Sequence, residues 1–109
     1  MFCAEARDEP TSSLKHVAVL SGASCSFRCP NDGRRISWYH IPSHSNVSID
    51  IYNGYELADE SMGAVYRVSE TTEQSELTLN NTLPMNSGKY LCEQSGTQRR
   101  IDAELVVLG

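Results

Sequence analysis

The chain has 109 residues, with 9 Lys+Arg against 14 Asp+Glu and a formal net charge of -5. That length suits a single domain over residues 1–109, because two domains would each bury too small a core. The acidic balance excludes a generic nucleic-acid surface, which needs a basic excess, and no apolar run approaches the ~20 residues of a membrane-spanning helix, so no membrane insertion is expected.

Residues 1–10 read as an N-terminal extension. Met1-Phe2-Cys3-Ala4 is followed by charged residues and lacks the apolar centre of a secretion leader, so Met1 reads as the start of a mature fragment. The first strand signal is Val17 to Leu20. Gly22 then opens Ala23 to Cys29, where Cys25, Phe27 and Cys29 alternate with small or polar residues in the period of two of a half-buried strand. Pro30-Asn31-Asp32-Gly33 is turn chemistry. Ile36 to His40 alternates again, with Ile36 and Trp38 on one side and Tyr39 on the other.

After Pro42, Val47 to Tyr52 predicts a strand ending in the hairpin turn Asn53-Gly54. Tyr55 to Gly63 is acidic and irregular. Val65 to Val68 and Ser75 to Leu79 are two further alternating runs. Asn86-Ser87-Gly88 is a turn before Lys89 to Glu93, and a last strand runs from Ile101 to Leu108. Short alternating runs with turn signals every 8–12 residues predict an all-β sandwich or barrel.

Four cysteines in so short a chain point to an oxidising compartment or to a metal. The spacing disfavours metal. There is no Cys-x-x-Cys pair, Cys25 and Cys29 have no second close pair, and Pro42 between His40 and His44 excludes a helix presenting both. Disulfides are therefore expected, with no metal and no cofactor. Asn46-Val47-Ser48 and Asn80-Asn81-Thr82 fit the N-glycosylation pattern, which has meaning only in the secretory pathway, so Asn46 and Asn80 are candidate sites and the expected location is extracellular. The sequence lacks Gly-x-Ser-x-Gly, His-Glu-x-x-His and a phosphate-cradling glycine loop, and no enzymatic activity is expected.

Cys29, Trp38, Leu77-Thr78-Leu79 and Asn86-Ser87-Gly88-Lys89-Tyr90-Leu91-Cys92 together resemble the immunoglobulin superfamily over Gly22 to Cys92. The resemblance implies an immunoglobulin-like β-sandwich of Greek-key topology, with Cys29 and Cys92 bridging the two sheets, Trp38 packed on that bridge and Tyr90 anchoring a corner through its hydroxyl. The 54 positions from Trp38 to Cys92 match the variable (V) type, which carries extra C′ and C″ strands. Cys25 is the alternative bridging residue, but the alternation places Cys29 better. Cys3 and Cys25 then form a second bridge, or Cys3 pairs elsewhere and Cys25 stays a buried thiol. Arg67 resembles the family's strand D arginine. Its usual acidic partner is replaced by Asn86, which leaves at best a charge-assisted hydrogen bond.

Domains of this type bind through the loops at one end or through the outer GFCC′ face. The B–C loop carries Arg34 and Arg35, and the F–G loop ends in Arg99 and Arg100, four guanidinium forks suited to carboxylate, sulfate or phosphate. Glu56, Asp59, Glu60, Glu70, Glu73 and Glu76 cluster elsewhere. On the face, Tyr39, Leu91 and Glu93 are expected to point outward, along with Asp102 and Glu104 if Ala103 and Leu105 face the core, with Tyr52 and Tyr55 near its edge, a composition suited to an interface. The expected function is recognition, as the ectodomain of an immune or adhesion receptor. Its partner would be a protein counter-receptor or an anionic glycan or lipid, with a homodimer through the GFCC′ face as a further arrangement. The alternative is a secreted innate recognition protein binding polyanionic or microbial ligands.

Overall fold

The computed structural model describes residues 14–30, 35–94 and 100–109, with backbone alone at 14–16, 100 and 101. The alternating runs become eight strands: β1 (Leu14–Leu20), β2 (Cys25–Pro30), β3 (Ile36–Pro42), β4 (Ile49–Tyr52), β5 (Tyr66–Glu70), β6 (Gln74–Leu79), β7 (Gly88–Gln94) and β8 (Arg100–Leu108). They build a five-stranded sheet, ordered β1-β8-β7-β3-β4, and a three-stranded sheet, ordered β2-β6-β5. The protein is thus an all-β, two-sheet sandwich closed by a disulfide between strands. β1 runs parallel to β8, a pairing that no hairpin can make.

Period two sends one side of each strand inward. Cys25, Phe27 and Cys29 from β2, Ile36 and Trp38 from β3, Leu77 and Leu79 from β6, Tyr90 and Cys92 from β7, and Ala103, Leu105 and Val107 from β8 form one buried cluster with Val17, Val19 and Ile51. Each fully buried aliphatic side chain in it contributes roughly 1.5–3 kcal/mol.

Two links cross this core side by side. Cys29 on β2 is bonded to Cys92 on β7. Trp38 lies opposite Cys92 in the β3–β7 register, and Ser75 lies opposite Cys29 in the β2–β6 register. The Trp38 indole Nε1–H donates to Ser75 Oγ at 2.9 Å, so a buried hydrogen bond joins the sheets beside the disulfide. Cys25 is also disulfide-bonded; the expected partner Cys3 lies outside the described residues.

At the base of the sandwich the Tyr90 hydroxyl donates to the Asn86 carbonyl at 2.6 Å, as the corner motif implies. The Tyr90 ring stacks on His40, with centroids 4.3 Å apart. The backbone turn beneath it requires glycine. Gly88 has φ 136°, and a Cβ there would collide with the Ile41 carbonyl and lie 2.8 Å from the Ser43 nitrogen.

Two expectations are corrected. No C″ strand forms among the described residues; a single bridge, Tyr52↔Leu57, follows the Asn53-Gly54 turn. Asn53 Oδ1 accepts the Tyr55 and Glu56 amides, and Asp59 Oδ1 caps a 3-10 turn over Glu60–Ala64. Short polar side chains here bond their own backbone and compete with a ladder. Arg67, which could have made at best a hydrogen bond to Asn86, makes none: it stands exposed, and Asn86 Oδ1 accepts the Leu83 amide at 2.7 Å.

Candidate functional site

Of the four arginines expected at the loop tip, Arg34 and Arg99 lie outside the described residues, and Arg100 opens β8 with only its backbone described. Arg35 is described, and it is engaged. Its Nη1 donates to the Gly54 carbonyl at 3.0 Å, and its Cζ sits 3.3 Å from the centroid of the Tyr55 ring, a cation–π contact. Gly54 permits this close approach, since a Cβ on it would meet the Arg35 Cβ at 3.0 Å. With one of the guanidinium's five N–H donors bonded to Gly54 and one face stacked on Tyr55, at most four donors are left for a ligand.

Tyr52 does not share a surface with Tyr39. It packs against the core, and its hydroxyl donates to Glu70 Oε1 at 2.5 Å. That bond joins β4, the edge of one sheet, to β5, the edge of the other. Desolvation, followed by the hydrogen bond and charge of Glu70, pushes the Tyr52 phenol up to about 12. Tyr52 is therefore a clasp between the sheets, and only Tyr55, 67% exposed, is available at that edge.

The outer face of the five-stranded sheet can be read row by row. Asp50, Tyr39, Leu91 and Asp102 lie opposite one another across β4, β3, β7 and β8. The next row is Ile41, Lys89 and Glu104, and on the other side Ser37, Glu93 and Arg100 are aligned. Tyr39 and Glu93 are half-buried. Leu91, expected as an exposed contact, is only 5% exposed, although it stands apart from the core cluster. Cross-strand neighbours in one row have Cβ atoms within about 5.5 Å, so Tyr39 and Asp102 flank it closely.

Asp102, which period two places on this face, carries a feature that spacing does not show. Its Oδ1 is the buried side-chain polar atom with no hydrogen-bond partner among the described residues. A buried acceptor left unpaired costs about 1–3 kcal/mol, and such atoms are rare in native folds. It adjoins the Tyr39–Leu91 pair at the middle of the sheet.

Asn46 is exposed in the loop between β3 and β4, as are Val47 and Ser48. Asn80 is half-buried, and Thr82 of its motif is 0% exposed, its hydroxyl donating to the Ala23 carbonyl at 2.8 Å. No group of three or more His, Cys, Asp or Glu suited to a metal occurs among the described residues, and no helix there is long and apolar enough to cross a membrane.

No protein-family model matches the chain, and no curated protein matches it.

Proposed function

We propose that this protein is a variable-type immunoglobulin domain acting as the extracellular recognition module of an immune or adhesion receptor, and that it binds a protein partner through the outer face of its five-stranded sheet. In the immunoglobulin lettering, β8, β7, β3 and β4 are G, F, C and C′, and β1 is the A′ strand beside G. The inter-sheet disulfide, the tryptophan beside it and the tyrosine corner support that assignment. A structural disulfide fits an oxidising compartment.

The observation that carries the binding surface is the row Asp50–Tyr39–Leu91–Asp102. Half-buried Tyr39 is an aromatic of the kind enriched at interface hot spots, and Leu91, 5% exposed, backs it from the neighbouring strand. The carboxylates flanking them favour a partner that presents basic and apolar groups. The arginine tip is the weaker candidate, because the described member, Arg35, is already bonded to Gly54 and stacked on Tyr55.

The test is an avidity screen of the full chain against arrayed cell-surface ectodomains and a glycan array, repeated with Tyr39→Ala, Asp50→Lys and Arg35→Ala. The face reading expects ectodomain hits that Tyr39→Ala and Asp50→Lys abolish and Arg35→Ala spares. Hits confined to acidic glycans, or lost only with Arg35→Ala, would overturn it.

A further inference from the structure

The outer face ends, below the Tyr39 row, in an open cleft of about 260 Å³ whose walls include Ile41, Pro42, Ser43, Ser45, Lys89 and Glu104, and whose rim includes Asn46. Two observations made separately therefore coincide: an N-glycosylation motif and a small concavity that its asparagine borders. The volume is below the roughly 300–1,000 Å³ of sites for drug-sized ligands, which suits a single sugar ring. The lining has the mixed character that pyranose rings need, with apolar Ile41 and Pro42 for the C–H face and the hydroxyl and ammonium groups of Ser43, Ser45 and Lys89 for the sugar's hydroxyls.

The local backbone presents the motif outward. His44 adopts a left-handed φ of 63°, Ser45 N–H donates to the Pro42 carbonyl, and Val47 N–H donates to Ser45 Oγ at 3.1 Å. These bonds turn the chain tightly at 42–47 and leave Asn46, Val47 and Ser48 all exposed. At the second motif the Thr82 hydroxyl is buried and bonded, so the two are unequal once the chain has folded.

We infer that Asn46 carries an N-linked glycan whose first N-acetylhexosamine lies in this cleft, against Ile41, Pro42 and Lys89. The inference rests on the extracellular reading above and adds to it a fixed lower boundary of the recognition face. The modification takes a polyprenyl-diphosphate-linked oligosaccharide as donor. Asn46 Nδ2 attacks the anomeric carbon, a C–N bond forms as the C–O bond to diphosphate breaks, polyprenyl diphosphate leaves with the electron pair, and the amide nitrogen gives up one proton. The seated sugar covers the Ile41–Lys89–Glu104 row and leaves the adjacent Tyr39–Leu91–Asp102 row open to a partner.

The test expresses the full 109-residue chain behind a cleavable secretion leader in mammalian cells. Glycopeptide mass spectrometry reads the occupancy of Asn46 and Asn80. The glycan is then trimmed to its first sugar, and acylation of the Lys89 amine by an activated ester is timed against Lys15, the chain's other lysine. Two references lack the sugar: a Ser48→Ala variant, and the same glycoprotein treated with an amidase that removes the glycan and leaves aspartate at position 46. Asn46 is expected to be occupied, and Lys89 to react several-fold more slowly with the sugar present. Secreted, disulfide-bonded protein with Asn46 unmodified overturns the site, and equal Lys89 reactivity with and without the sugar overturns its seating. Because the leader is supplied, either failure is separate from failure of the extracellular reading, which retention of the natural full-length product inside the cell would show.

Discussion

Ser75→Ala removes the acceptor of a buried side-chain hydrogen bond between the two sheets, and its cost can be worked from the surroundings. Ser75 is 0% exposed and Trp38 is 2% exposed, so water cannot replace the lost hydroxyl at the Trp38 indole N–H, 2.9 Å away. An unpaired buried donor costs about 1–3 kcal/mol, and for a domain near 100 residues each kcal/mol lowers the melting midpoint by roughly 4–8 °C. Loss of packing alone would predict much less, because the substitution deletes a single oxygen. The two causes separate in a double-mutant cycle. In a Trp38→Phe background there is no indole donor left to orphan, so Ser75→Ala should cost little there, giving a coupling of about 1 kcal/mol or more. Urea unfolding with disulfides intact reads all four proteins. Equal costs of Ser75→Ala in both backgrounds would refute the claim that this bond, rather than the volume of the serine, matters.

Replacing both Cys29 and Cys92 with alanine releases a closure of 63 residues and should remove roughly 4 kcal/mol, a large part of an ordinary total of about 5–15 kcal/mol; urea unfolding measures it. Non-reducing peptide mapping should recover Cys29 with Cys92, and Cys25 with Cys3, the chain's remaining cysteine. Burial holds the His40 pKa below its ordinary 6.5, against a smaller opposing effect of the Ser87 carbonyl. The unfolded chain therefore takes up a proton first, and stability should fall as pH drops below about 6.5, a slope that His40→Gln should flatten in melts between neutral and mildly acidic pH. Asp102→Val, which removes a buried oxygen without a partner and places a strand-favouring residue in β8, should stabilise by about 1 kcal/mol while weakening partner binding; a lower melting midpoint would refute the unpaired assignment.

Much of the sandwich was legible because period two is a local signal. The alternation in Cys25-Ser26-Phe27-Arg28-Cys29 and Ile36-Ser37-Trp38 assigns faces from neighbours in sequence, and the structure buries Cys25, Phe27, Cys29, Ile36 and Trp38. The Cys29–Cys92 link followed from a resemblance in which cysteine, tryptophan and tyrosine spacings agree. What escaped depends on residues far apart with no repeating pattern. Arg35 finds Tyr55 across 20 positions, Tyr52 finds Glu70 across 18, and Trp38 finds Ser75 across 37. Arg35 reads in sequence as a free loop charge, and only the return of the Gly54 turn beneath it shows otherwise. Leu91 misled for a related reason: alternation says which way a side chain points, but its exposure depends on the residues beside it in neighbouring strands. The missing C″ strand reflects Asn53 and Asp59, whose carboxamide and carboxylate bond the local backbone and consume the donors that a ladder would use.

The same bookkeeping changes how the net charge of -5 is to be understood. In sequence the acidity gathers at Glu56 to Glu76, which reads as the region that repels anions and attracts cations. In the fold, part of that acidity is engaged at the surface by the chain's own groups: Glu70 accepts from Tyr52, Glu76 pairs with Arg28 at 2.9 Å, and Asp59 holds the Ser61 amide. The carboxylates that flank an apolar pair are instead Asp50 and Asp102, one at each end of the Tyr39–Leu91 row. A basic partner docking there would be steered by the charges and retained by the apolar contact, and these two contributions respond differently to salt. Steering is screened over about 8 Å at physiological ionic strength, so added salt should lower the association rate. Dissociation, governed by the desolvated Tyr39 contact, should change much less. A tip of free arginines would instead bind multiply charged anions mainly through electrostatics, and its affinity would fall steeply with salt.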